Sequence, residues 1–323
     1  MRNPLVSIIV PVYNVANYIR KCAHSLFSQT YTNCEFVFVD DCGTDNSIAI
    51  LKDVASQYKS LNIKILKHGF NRGLAAARNT GIMNATGAYF LHVDSDDWIS
   101  HDAVEKLLKK AESTQSDVVL FDCKFVYNDR TEDFKNLRWT ISKKDSLRRW
   151  ILSPLTSNCI YFAKASIYKD NNIRLIDGVN ICEAFYLSIL VLYFAKSVVN
   201  LEESLYFYNR CNLSSYTNNL HKYRGQELKA YDGIINFFNA LGELRFYERE
   251  LAWRVLKCKQ DLVLDYNTFD EFNEILPFSN KYIMSCPYEW CNTKIKVLMW
   301  LASHHFYGAL NILLNLRNIK HNR

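Results

Sequence analysis

Three carboxylates fall within four positions, Asp94, Asp96 and Asp97, directly after the apolar run Tyr89-Phe90-Leu91-His92-Val93. A short hydrophobic run that stops at polar residues reads as a buried strand. Such a strand would deliver its acids to one edge of a sheet, where ligands of open α/β folds collect. Acids so close repel one another unless a cation or hydrogen-bond donors balance them. Oxygen donors suit Mg2+ or Mn2+, and Mg2+ typically takes one or two carboxylates together with substrate phosphates. A second acidic pair, Asp40-Asp41, ends another apolar run, Glu35 to Val39. One Asp-x-Asp triplet is a weak sign, since most are solvated loops. Two acid clusters at the ends of two strands of one sheet are a stronger one.

The elements that would hold these groups alternate. Leu5 to Val12 is nearly continuous apolar, as in a parallel strand covered on both faces, with Pro11 at its exit and Tyr13-Asn14 in the following loop. Ile19, Cys22, Ala23, Leu26 and Phe27 recur at helical spacing. After the second strand, Asp45 or Asn46 is placed to cap a helix whose inner face is Ile48, Leu51, Ala55 and Tyr58. A third strand, Ile63 to Leu66, precedes an alanine-rich helix entered through Asn71-Arg72-Gly73. The acid-ending strand is the fourth; a helix from Ser100 to Ala111 and a strand from Asp117 to Asp122 follow. This pattern predicts an α/β fold, a doubly wound, mostly parallel sheet with helices on both faces.

Lys124 to Trp139 is polar and irregular and predicts a mobile loop. Beyond it the alternation lapses into a helix over Glu183 to Lys196 and one or two strands in Val198 to Tyr208. From about Tyr216 the pattern is helical throughout. The expected division is therefore a first domain over 1–215 and a helical C-terminal region over 216–323.

Composition narrows the function. At 323 residues, 49% apolar and 22% charged, the chain is an ordinary globular one of about two domains. No Gly-x-Gly-x-x-Gly follows the first strand and no Gly-Lys-Ser/Thr loop is present, so neither dinucleotide nor P-loop binding is indicated. An acid-rich site would instead grip a nucleotide diphosphate through a metal. Ten cysteines without a Cys-x-x-Cys pair predict reduced thiols and a cytoplasmic chain. The longest apolar stretch, Phe185 to Ala195, is far short of a membrane span and reads as a buried helix.

Net charge is +6, and Lys294, Lys296, Arg317, Lys320 and Arg323 fall in a tail, 294–323, that holds no acid. The rest is close to neutral, which argues against a nucleic-acid partner. The tail also carries Val297, Leu298, Trp300, Leu301, Phe306, Leu310, Leu313 and Leu314. Peripheral association with an anionic surface, at the inner face of the cytoplasmic membrane, is one expectation. Packing of this helix on the sheet domain is the other.

Four ordered stretches resemble the glycosyltransferase family 2 enzymes with the GT-A fold. They are Val-Ser-Ile-Ile-Val-Pro-Val-Tyr-Asn at 6–14, Val-Asp-Asp-Cys-Gly-Thr-Asp-Asn-Ser at 39–47, Asn-Arg-Gly-Leu-Ala-Ala-Ala-Arg-Asn-Thr-Gly at 71–81 and Asp-Ser-Asp-Asp-Trp at 94–98. A weaker likeness continues through Leu205 to Arg210 and Ser214 to Thr217, similar to the family's closing hairpin. The resemblance implies sugar transfer from a nucleotide-diphosphate sugar to a hydroxyl of a glycan or lipid-linked acceptor, with inversion and a divalent cation, as in surface-polysaccharide synthesis. It implies donor binding by Pro11, Tyr13, Asn14, Asp41, Arg78 and Asp94, metal binding by Asp94, Asp96 and Asp97, and Trp98 on the acceptor side. The family's usual Glu-Asp pair, whose Asp is taken as the general base, corresponds here to Glu183-Ala184. Glu183 is then the candidate base, and a donor-binding or scaffolding homologue without catalysis is the alternative. A nucleotidyltransferase on a similar sheet fits these motifs less well.

Overall fold

The computed structural model describes residues 3–140, 142–212 and 224–321. Two compact units divide the chain, Met1–Gln226 and Glu227–Arg323; the sequence expectation set the division at 215.

In the first unit the alternation is β1 (Val6–Val12), α1 (Ile19–Phe27), β2 (Cys34–Asp40), α2 (Ser47–Ser56), β3 (Asn62–Lys67), α3 (Leu74–Asn84) and β4 (Tyr89–His92). There follow β5 (Trp98–Ile99), α4 (Ala103–Thr114), β6 (Val118–Val126), β7 (Thr131–Phe134), α5 (Lys143–Ile151), β8 (Tyr161–Lys164), α6 (Ala165–Asp170), α7 (Glu183–Phe194) and β9 (Val198–Asn209). One sheet runs β3-β2-β1-β4-β8-β6-β9-β5, with β7 on β6. Strands β3, β2, β1 and β4 are mutually parallel, and every residue of β1 and β2 is buried, as layers of helices on both faces require. The sheet then turns mixed: β8 is antiparallel to both β4 and β6, while β9 runs parallel to β6.

The expectation of a mobile loop at Lys124 to Trp139 is corrected. Strand β6 continues to Val126 and forms a hairpin with β7. Phe125 packs on Phe134 and Tyr208, so alternate side chains in this polar stretch still find an aromatic face. Beyond the hairpin, Asp122 takes both guanidinium nitrogens of Arg138 and the amide N–H of Asn136, which fixes the return segment. Residues 198–209 form one strand, irregular near Asp122, where it changes register on β6. The hairpin residues expected at Ser214 to Thr217 lie outside the described residues.

At the end of the sheet away from the acids, the buried Glu35 sets the register. Its Oε1 accepts from Ser7 Oγ (2.5 Å), Thr86 N (2.5 Å), Thr86 Oγ1 (2.9 Å) and Gly87 N (3.1 Å), and its Oε2 from Lys64 Nζ (2.6 Å). One carboxylate thus joins β1, β2, β3 and the turn into β4. Gly87 is required there, because a Cβ would lie 2.6 Å from Ser7 Oγ and 2.8 Å from Leu5 O.

The division between the units falls within α8 (Arg224–Ala240). The second unit also contains α9 (Glu248–Lys259), α10 (Phe269–Glu274), α11 (Thr293–Ser303) and α12 (Tyr307–His321) around Leu256, Val263, Phe272, Ile283, Met299 and Leu310. The tail is therefore two helices. Leu298 and Leu310, expected at a membrane, are instead part of this unit's own core. Lys259 is wholly buried, donating to Phe272 O (3.0 Å), Ile275 O (2.9 Å) and Asn280 Oδ1 (2.7 Å).

Burial alone would raise the Glu35 pKa, but hydrogen bonds from Lys64, Ser7 and Thr86 outweigh it and hold the carboxyl at about 2, below its ordinary 4.5. The folded chain then binds fewer protons than the unfolded one between these values. The stabilisation is complete above the unfolded pKa and is lost as pH falls through about 2. The shift corresponds to about 3 kcal/mol. Glu35→Gln is expected to lower unfolding free energy by about that amount at pH 7, with the gap from wild type closing as the medium is acidified toward pH 2. Denaturant unfolding at several pH values measures it; a gap independent of pH would deny the role of the ionised carboxylate.

Candidate active site

The carboxyl ends of β1, β2 and β4 converge on one edge of the sheet. Strand β1 ends with Pro11 paired to Val39, and Tyr13 beyond it stands 42% exposed. Tyr13 is thus available to a ligand and is not a core residue. Asn14 Oδ1 accepts from Thr44 N at 2.8 Å, and Asp45 accepts from Ala16 N at 2.8 Å, so the loops after β1 and β2 are tied together. Asp45 also accepts from Ser47 N at the start of α2, which leaves Asn46 at the cap position without a capping bond.

Asp41 is turned inward. Its Oδ1 meets His68 Nδ1 (2.7 Å) and accepts from Arg72 N (2.9 Å), and its Oδ2 accepts from Gly73 N (2.8 Å). Gly73 adopts φ +89°, and a Cβ there would come 2.4 Å from the Asn180 side chain. His68 closes the set through Thr80 Oγ1 at 2.9 Å. Asp41 therefore fastens the entry to α3. Sequence reasoning missed His68, whose one signal is its place just after β3.

Arg78, on α3, is buried and donates from Nη2 to Asp94 Oδ1 at 2.6 Å, while Nε lies 3.5 Å from Glu183 Oε1. Burial works against its charge, but Asp94 and Glu183 outweigh it and raise the pKa. Glu183 opens α7 and is 7% exposed, with its Oε1 beside the guanidinium of Arg78. Burial raises its pKa, with Arg78 pulling the other way. The chain reaching Glu183 is pinned to α3: Asn79 and Leu175 exchange two hydrogen bonds (3.0 and 2.8 Å), and Asn180 Oδ1 accepts from Ala75 N (3.1 Å).

The three acids after β4 differ sharply in surroundings. Asp94 is partly exposed, with one oxygen on Arg78. Asp96 is also partly exposed and accepts from Asn212 Nδ2 at 2.8 Å; burial and the Asp94 charge push its pKa up to about 6. Asp97 is 2% exposed, with Oδ2 accepting from Tyr206 O–H (2.5 Å) and Oδ1 from Asn209 N (2.7 Å). Burial, then Asp96 and Asp94, raise the Asp97 pKa. The Tyr206 oxygen also accepts from Asp94 N at 3.1 Å. Each Asp97 oxygen accepts a hydrogen bond inside the protein, so Asp97 backs the loop that carries the other two acids.

Among the described residues no group of three or more His, Cys, Asp or Glu side chains is arranged to enclose a metal ion. Two partly exposed carboxylates, Asp94 and Asp96, do fit the donor set of a Mg2+ or Mn2+ shared with phosphate oxygens. Trp98, one residue on, stacks on Phe207 across the β5–β9 pair.

This arrangement is a GT-A architecture. A crystal structure of Staphylococcus aureus TarS in complex with UDP-GlcNAc superposes with TM-score 0.72 at 21% identity, covering 98% of this chain and 92% of that one. Residues 7–170 match the model of Glycosyl transferase family 2, and the chain belongs to that family of transferases. EpsJ of Bacillus subtilis, an uncharacterized glycosyltransferase, is 30% identical over 255 residues, covering 74% of this chain and 71% of EpsJ. GlyA, a glycosyltransferase of Streptococcus pneumoniae serotype 4, is 47% identical over 116 residues, which are 36% of this chain and 16% of GlyA's length.

Proposed function

We propose that this glycosyltransferase moves a sugar from a nucleotide-diphosphate donor to a hydroxyl of a glycan or lipid-linked acceptor, with inversion. The observation that carries the reading is the pair Asp94 and Asp96, both partly exposed at the end of β4 and backed by Asp97 and Arg78. The UDP-GlcNAc bound by TarS, on the same fold, supports a nucleotide-sugar donor. Tyr13 offers its exposed ring to the base, with Pro11 and Asn14 shaping the floor beneath. Asp41 serves the donor at one remove, through the turn at Arg72-Gly73. Arg78 aims Asp94.

Asp94 and Asp96 would hold a divalent cation, which when bound stabilises charge on the departing diphosphate. Inversion needs a base on the acceptor side. Glu183 is the carboxylate placed to take the acceptor proton, and burial moves its pKa toward the range where a base works best. A second reading has its own observation. The Glu183 carboxylate lies beside Arg78 at the start of α7, and Ala184 occupies the next position. That arrangement suits a donor-binding homologue without turnover.

For the tail we propose contact with an anionic membrane surface. Trp300 and Phe306 are 39% and 51% exposed, Ile312 and Leu313 are exposed as well, and Lys294 and Lys296 precede them. Among the described residues no helix is long and apolar enough to cross a membrane.

Replacing both Asp94 and Asp96 by Ala is expected to weaken Mg2+-dependent binding of a nucleoside diphosphate by about 100-fold or more, with thermal unfolding still cooperative. Calorimetry giving an unchanged, metal-dependent affinity would refute the metal assignment. Glu183→Gln is expected to lower turnover by about 100-fold or more with donor affinity retained. Turnover that survives this change removes Glu183 as the base, and wild type that binds donor without turnover favours the second reading. For the tail, the full-length Lys294→Glu, Trp300→Glu variant should float less with anionic vesicles than wild type does. Equal flotation would end the membrane reading.

A further inference from the structure

Helix α1 sets beside the acid loop a cation that the site described above leaves unused. Lys21 Nζ lies 3.0 Å over the centroid of the Trp98 ring. Trp98 in turn stacks on Phe207, with centroids 5.6 Å apart and planes at 8°. Cation–π attraction holds the ammonium there. Among the described residues it forms no ion pair with a carboxylate, although Asp94, Asp96 and Asp97 belong to the neighbouring loop. The next residue, Cys22, donates from Sγ to Asp94 O at 3.7 Å, so this turn of α1 is fastened to the acid loop.

A cavity of about 300 Å³ opens on the same side, lined by Asn14, Asn17, Tyr18, Asp45, Cys211 and Asn212. Asn212 joins it to the acids through the bond to Asp96. Asn17 and Tyr18 lie one turn before Lys21, and Tyr18 O accepts from Lys21 N at 3.0 Å, so this turn runs from the lining to the ammonium. Three amides and a phenol share this wall with Val15 and Ala16, and the carboxylate of Asp45 is already taken by Ala16 and Ser47. Donors and acceptors of this kind match sugar hydroxyls, and the volume admits one saccharide ring.

We propose that this cavity seats the acceptor saccharide and that Lys21 receives an acidic group, carboxylate or phosphate, carried by that saccharide. The proposal rests on the sugar-transfer reading and names the class of acceptor for it. An oxyanion offers the ammonium a charge-assisted hydrogen bond that an aromatic face does not. A neutral sugar leaves Lys21 on Trp98 and gains nothing from it, so selection for acidic acceptors is a difference of affinities set by one charge.

The test is ligand-detected NMR titration of the full chain with glucose 6-phosphate, glucuronate and glucose, using wild type, Lys21→Met and Lys21→Arg, with UDP and Mg2+ titrated separately as the donor probe. Wild type is expected to bind at least one acidic sugar about tenfold or more tightly than glucose. Lys21→Met should bring that sugar to the level of glucose, and Lys21→Arg should keep most of the preference. Which acid is preferred tells phosphate from carboxylate. Acidic sugars binding no better than glucose, or a preference that survives Lys21→Met, would overturn the proposal. So would an equal loss of UDP affinity in Lys21→Met, because Lys21 would then serve the donor diphosphate. Wild type that prefers acidic sugars but fails to bind UDP would sink the donor reading and leave the anion site standing.

Discussion

The guanidinium of Arg78 is the constraint on which the site depends. It is buried on α3 and holds Asp94 on one side and Glu183 on the other, so one side chain spaces the acid loop from the start of α7. Removing that charge leaves the buried Glu183 carboxylate uncompensated, and breaking a buried pair in this way typically costs about 3–5 kcal/mol. The same cation also acts below itself: burial, then the Arg78 charge, pushes His92 down to about 3, which keeps that imidazole neutral beneath the acids. The Asp94–Arg78–Glu183 row is therefore a fixed charge pattern, laid down before any substrate arrives.

The antiparallel half of the sheet holds the parallel half's chemistry in place. Asp97 is bound by Tyr206 and Asn209 of β9, and Asp96 by Asn212 just beyond it. The acid loop is thus anchored to a strand that pairs with β5 and β6 and has no direct pairing with β4. In exchange, the Tyr206 hydroxyl supports the backbone of Asp94. Three carboxylates tolerate this spacing because each has a different balance: a guanidinium, an amide, and a hydroxyl with a backbone N–H.

How much of this was legible follows from the range of the interactions. Strands β1 to β4 and the helices between them could be read because each is an uninterrupted apolar run or a 3.6-residue period. The meeting of Asp41 and Asp94 at one edge followed from strand order alone. The different fates of Asp94, Asp96 and Asp97 could not be read, because identical side chains are sorted by partners 16, 116 and 109 residues away. His68 and Asn180 escaped for the same reason, since nothing local distinguishes a histidine behind Asp41 or an asparagine that caps a distant helix. Lys124 to Trp139 was misread because polarity was taken for disorder, when its alternate aromatic side chains had a face to pack on.

What α7 can contribute is set by its first turn. A carboxylate at a helix N-terminus is favoured in its charged form, and Arg78 favours it further, while burial acts in the opposite sense and prevails. A base must also reach its proton. Residue 184 points about 100° around the helix from 183, so the Ala184 direction is closed to Glu183 while its carboxylate stays beside Arg78. Proton transfer through Glu183 thus requires the side chain to leave Arg78 and turn outward. Parting a buried carboxylate from its cation is costly, so the turned-out carboxylate is a minor state unless the acceptor hydroxyl replaces what it gives up. The cost of that motion, set against the gain from general-base catalysis, decides between an enzyme that works through Glu183 and a relative that only holds its donor.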